Sequence, residues 1–107
     1  MLNTYKQFQT LLPTEFDSAR DDGGHGTHTA TTTAGNGGVA ASIFGVPYGT
    51  VSGVAPRAQV IAYRVCANAG CYSSDSVAAV NQAIIDGVDV INFSISGGEN
   101  PYSDAVA

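Results

Sequence analysis

The sequence predicts an α/β fold, and three stretches carry that expectation. "AQVIAYRV", 58–65, has apolar residues on both faces, as a buried parallel strand does. "SSDSVAAVNQAIIDG", 73–87, repeats Val77, Val80 and Ile84 at helical spacing. "VDVINFSI", 88–95, reads as a second strand. Together they compose a βαβ unit over 58–95, whose crossover should be right-handed.

The elements follow in chain order. Residues 1–22 are weakly patterned, with Pro13 and a cluster of charges from Glu15 to Asp22, and read as a loosely structured N-terminal loop with room for one helical turn. Residues 23–107 form the patterned part of the chain. From His25 to Ala34 small residues dominate, with no proline and no glycine but Gly26. Threonine is a mediocre helix former, so a helix here depends on tertiary packing, and small side chains all round suggest burial against close neighbours. "GNGGVAASIFGVPYGTVSG", 35–53, is punctuated by glycine and reads as a long loop with turns. Ser73 or Ser74 suits the cap of the following helix, and Gly87 its end. Gly97 and Gly98 terminate the second strand.

Composition narrows the function. Hydrophobic residues make up 44% of the 107, which sets the chain apart from a disordered tail. Charged residues are 12%, about half the usual share, a balance that suits buried and tightly turned segments. The net charge of −5, without a Lys/Arg cluster, makes nucleic acid a poor partner. No segment reaches the ~18 apolar residues that span a bilayer. "MLNTYKQFQTLLPTEF" is too polar and interrupted for a signal peptide. Cys66 and Cys71, in "CANAGC", fit a short-loop disulfide, two reduced thiols or half of a metal site. Metal is the weakest of these, because no other cysteine completes a four-ligand zinc site.

"DDGGHGTHTATTTAG", 21–35, raises the chemical question. A buried or surface histidine with a satisfied hydrogen bond is the ordinary reading of either His25 or His28. Zinc binding by both lacks the H-x-x-x-H spacing and the glutamate of a metalloprotease helix. A third reading makes His25 a general base at the head of a helix. Gly23 and Gly24 would let the backbone turn there, and His28, one turn further in, would pack. A base needs a nucleophile and a carboxylate to orient it. No serine stands in a G-x-S-x-G elbow. Asp17, Asp21 and Asp22 are near in sequence, which does not fix their orientation.

Three motifs carry a resemblance. "GHGTHTA", 24–30, is similar to the histidine motif of the subtilisin-like serine proteases. "SGVAPRAQVIAYRVC", 52–66, resembles that family's G-V-A-P strand segment, and "AIIDGVDVINFSISGG", 83–98, its V-I-N-x-S strand. They stand in the family's order, and "YRVCANAGC" adds a likeness to the secreted branch with the plant cucumisin-like enzymes and bacterial relatives. The resemblance covers about residues 20–107 and implies part of a subtilisin-like parallel sheet with flanking helices, a middle portion of a peptidase domain.

It implies His25 as the catalytic base and His28 as a structural helix residue. It implies that Ser94, Ile95, Ser96 and Gly97 pair with an extended peptide substrate, faced by Gly70 and Tyr72. Ser96 stands where many subtilisins have glycine. It further implies a Cys66–Cys71 disulfide and an extracellular parent protein.

The family's catalytic aspartate, nucleophilic serine and oxyanion asparagine match nothing here, so the 107-residue chain is expected to be inactive alone. "GTVSG", 49–53, is no serine motif, and Asn92 belongs to the strand motif. No cofactor is implied. Calcium stabilises many members of the wider family, but the loop 35–50 has no carboxylate to hold it. The alternative is a non-catalytic peptide-binding module on the same half-fold. Apolar strand faces and an exposed sheet edge also predict self-association.

Overall fold

The computed structural model describes Ser18, residues 20–67 and residues 70–96. They fall into two units, one spanning Asp21–Ile61 and one holding Ala62 onward with Ser18 and Arg20.

The first unit opens with helix α1, His25–Ala34. Its five threonines find partners for their hydroxyls nearby. Thr27 Oγ1 donates to Asp21, while Thr29, Thr31, Thr32 and Thr33 donate to carbonyls one turn back, at 2.7–3.1 Å. These bonds satisfy the hydroxyls without strengthening the helix, since back-bonding to its own carbonyls gives threonine no helix propensity. The expected burial is absent: none of the residues of α1 is buried. The unit offers this helix only a hairpin and a loop, too little to enclose it.

At its C-terminal end, α1 is closed by a distant segment. Gly53 donates to Gly35 O (2.9 Å), Val54 to Thr32 O (3.0 Å) and Ala55 to Thr33 O (2.8 Å). The last carbonyls of a helix have no partner within it, and here the G-V-A segment supplies them. Gly53 is required by this approach. A β-carbon there would lie 2.8 Å from Thr31 O and 2.9 Å from Ala34 C, and against the Gly35 nitrogen.

The stretch 35–53, read above as a loop, contains an antiparallel hairpin. Strand β1, Val39–Ile43, pairs with β2, Val46–Val51. Phe44 (φ 48°) and Gly45 (φ 80°) form the two-residue turn, both in the left-handed region that a type I′ turn requires. The register shifts between Ala40 and Ser42, opposite Gly49 at φ 92°. That is a bulge absorbing one extra residue in β2. Pro47 is tolerated because each strand of a two-stranded ribbon is an edge.

In the second unit, β3 (Cys66–Ala67) pairs antiparallel with β4 (Gly70–Cys71) and leads into helix α2, Ser73–Asp86. Ser73 is the first helical residue and Tyr72 the cap, so neither Ser73 nor Ser74 caps with its side chain. Instead, the amide and hydroxyl of Ser76 both donate to Tyr72 O. Gly87 ends the helix at φ 73°, as the sequence predicts. Gly87 donates to Ile84 O and Val88 to Ala83 O, the paired bonds of a Schellman ending.

The buried face of α2 is Asp75, Ser76, Ala79 and Ala83. Val77 and Val80 are half-buried and Ile84 is exposed, so the enclosed stripe lies one position away from the predicted one. Among the described residues of this unit, Val65 is the one further buried hydrophobic side chain. At the other end, Asp86 sits where the helix dipole disfavours a carboxylate. Tyr63 Oη (2.6 Å) and Gln82 Nε2 (2.8 Å) donate to it. These bonds hold Asp86 below its ordinary range, the first also pushing the Tyr63 phenol up to about 12.

The strands expected at 58–65 and 88–95 form no ladder among the described residues. The only sheets there are the two antiparallel pairs. A parallel strand exists only through its neighbours' hydrogen bonds, and no described segment supplies them. The βαβ unit therefore appears as its helix between two unpaired segments, in a chain that mixes helix and strand. No described helix is long and apolar enough to cross a membrane.

Candidate active site

His25 is the first residue of α1, and the turn that delivers it is built from its neighbours. Gly24, the residue before the helix, takes φ 90°, a conformation that side chains rarely adopt. Asp21 organises the same turn. Its Oδ1 accepts from the amides of Gly23 (3.1 Å) and Gly24 (3.0 Å). Its Oδ2 accepts from the amide (2.7 Å) and hydroxyl (2.6 Å) of Thr27. The Thr27 bonds foremost, then those from Gly24 and Gly23, hold the Asp21 carboxyl well below the usual carboxylate range. Gly26 lies over this carboxylate, and a β-carbon there would meet it at ordinary contact, 3.7 Å.

The imidazole of His25 is exposed. So is that of His28, which is not packed within the unit. His28 contributes through its backbone: its amide donates to Gly24 O (3.0 Å), closing the first turn.

The residues expected to bind peptide lie in the other unit. Gly70 (φ 114°) and Cys71 form β4, and Tyr72 follows, about half exposed. A disulfide joins Cys66 to Cys71 across the paired ends of β3 and β4, with the Cα atoms 4.2 Å apart. Just before it, Arg64 anchors the backbone, donating from Nε to Cys66 O (3.3 Å) and from Nη1 to Ser18 O (3.1 Å). Ser94 and Ser96 are exposed and Ile95 half-buried. Ser94 Oγ contacts Asn92 Oδ1 at 3.3 Å. Gly97 lies outside the described residues, as do 1–17 of the N-terminal segment. Among the described residues no three His, Cys, Asp or Glu side chains group to hold a metal.

The sequence places Asp21 close to His25 without fixing its orientation. The signal was present in the aspartate two residues before a glycine pair, where a carboxylate reaches the amides that follow it.

The site thus has a histidine at the head of a helix behind a glycine turn, and a Gly53-Val54-Ala55 segment that closes the same helix. The Subtilase family of peptidases matches residues 6–107. This chain belongs to the subtilase family.

Its relatives include three Arabidopsis thaliana proteins. It is 52% identical over 89 residues to subtilisin-like protease SBT1.3, covering 83% of this chain and 11% of the relative. It is 52% identical over 95 residues to subtilisin-like protease SBT1.5, with 88% and 12% covered. It is 56% identical over 80 residues to subtilisin-like protease SBT4.3, with 75% and 11% covered. The chain thus spans little more than a tenth of the length of these relatives. No solved structure matches it significantly.

Proposed function

We propose that this chain is the part of a subtilisin-like serine endopeptidase that carries the triad histidine and two walls of the substrate cleft. The observation that carries the reading is His25, exposed at the first position of α1 and delivered by the Gly24 turn, within the matched family region. In the whole enzyme His25 accepts the proton of the nucleophilic serine as its oxygen attacks the scissile carbonyl. It then returns that proton to the leaving amine, so that proton and electron pairs balance across acylation. The serine, the aspartate and the oxyanion donor come from the rest of the domain, so the 107-residue chain alone turns over no substrate.

In the complete domain, 58–65 and 88–95 become strands of a parallel sheet. The segment Ser94, Ile95, Ser96 and Gly97 adds an extended peptide by backbone pairing, opposite Gly70 and Tyr72. The substrate is a peptide or protein chain, and no cofactor takes part. A disulfide between Cys66 and Cys71 suits an extracellular protein.

The test is peptide hydrolysis by the full-length protein, by its His25→Ala variant and by the isolated chain. His25→Ala should lower kcat on the order of 10⁶-fold, and the isolated chain should show no turnover. A full-length His25→Ala protein of undiminished activity would refute the reading, and a binding module without catalysis would show as tight peptide binding with no hydrolysis in the parent.

A further inference from the structure

The turn that carries His25 is held by one side chain to which the triad assigns no role. Asp21 lies four residues ahead of His25, and the donors it gathers stand on both sides of it: Gly23 and Gly24 before, Thr27 after. Helices are ordinarily capped by a side chain at the residue before the first turn. That residue here is Gly24, which has no side chain and occupies a left-handed conformation. The amide of Thr27, third in the helix, is therefore capped from outside, by a carboxylate three residues upstream of the cap position. One rigid planar group thus fixes the backbone on either side of the His25 Cα, and with it the direction in which the imidazole leaves the helix. The bonds that Asp21 accepts also lower its pKa, so the carboxylate that closes the clamp stays ionised further into acid than an ordinary aspartate.

We propose that Asp21 is a positioning residue for the catalytic base, acting through the backbone of Gly23, Gly24 and Thr27 to aim His25. The proposal rests on the reading of His25 as the triad histidine. Misplacing a reacting group by about 1 Å costs on the order of 10²-fold in rate, which sets the expected effect.

The experiment uses the full-length protein in four forms: unaltered, Asp21→Ala, Asp21→Asn and Thr31→Val. The last removes a hydroxyl bonded to Thr27 O and His28 O in the same helix while leaving the clamp intact. Steady-state kinetics are read beside amide hydrogen exchange in the peptide covering 21–30.

Asp21→Ala should lower kcat on the order of 10²-fold with KM changed less than about twofold, and should speed exchange in that peptide. Asp21→Asn, which keeps one acceptor oxygen, should fall between. Thr31→Val should leave kcat near the parent's. Unchanged exchange in Asp21→Ala would overturn the clamp. Faster exchange with a kcat no lower than that of Thr31→Val would make Asp21 merely structural and overturn the proposal. Activity that survives His25→Ala refutes the triad reading instead, and any catalytic role for Asp21 with it, whatever the exchange data show.

Discussion

Substituting Gly53 by alanine tests the closure of α1 in its most sensitive place. The added β-carbon would stand 2.8 Å from Thr31 O, where ordinary contact begins at 3.4 Å, so the segment must retreat by at least about 0.6 Å. The obstructing atoms are helix backbone and cannot swing aside. Overpacking of this kind costs about 1–3 kcal/mol, and retreat weakens the bonds to Gly35 O, Thr32 O and Thr33 O. Losing even one adds about 0.5–1.5 kcal/mol. The sum is about 1.5–4.5 kcal/mol, or a fall in Tm of roughly 3–18 °C for a domain of ordinary size.

Gly37→Ala is the matched control. Its β-carbon would meet Pro56 Cβ at 3.7 Å, ordinary contact, and should shift stability by no more than about 0.5 kcal/mol. Both are measured by thermal unfolding of the full-length protein in a His25→Ala background, which suppresses self-digestion. If Gly53→Ala melts within about 2 °C of Gly37→Ala, the steric account of the G-V-A segment is wrong.

Three further outcomes follow from the same structure. Because folding depresses the pKa of Asp21, its contribution is fully present above the ordinary value of 3.8 and is lost as pH falls through the folded value. The Tm gap between the parent and Asp21→Asn should therefore hold from neutrality to about pH 5 and narrow below 3.8; a gap independent of pH would contradict this. In a tyrosinate absorbance titration, the component missing from Tyr63→Phe should ionise near 12, and Asp86→Asn should bring it down toward 10.0. An Asp86→Asn curve identical to the parent's would remove the Tyr63–Asp86 bond as its cause. Replacing Cys66 and Cys71 together by alanine opens a six-residue loop and should cost about 2 kcal/mol by chain entropy, read as the shift in denaturation midpoint. No shift would mean that the bridge constrains little in the unfolded chain.

What could be read from the sequence divides along physical lines. Helix α2 and its Gly87 ending were legible because apolar spacing and a terminal glycine are local signals. Its buried stripe was not, since burial depends on what lies opposite. The hairpin was hidden twice over. Its turn puts Phe44 where Asn is the usual signal, and β2 is exposed throughout, so no alternation betrays it. The strands at 58–65 and 88–95 illustrate the opposite case, a pattern that announces burial between partners no described segment provides. At the site, His25 stood out through its glycine-flanked motif. The role of Asp21 escaped because capping signals are sought beside the helix, whereas this one reaches in from three residues earlier.

The threonines of α1 have a consequence for whatever surrounds it. A threonine turns one branch toward its own backbone and the other outward. Where the hydroxyls of Thr29, Thr31, Thr32 and Thr33 are spent on carbonyls of the same helix, γ-methyl groups are left as the outer coat. A helix written in polar letters thus presents a skin much like that of valine. It can be sheathed by protein on several sides without stranding a single hydroxyl donor.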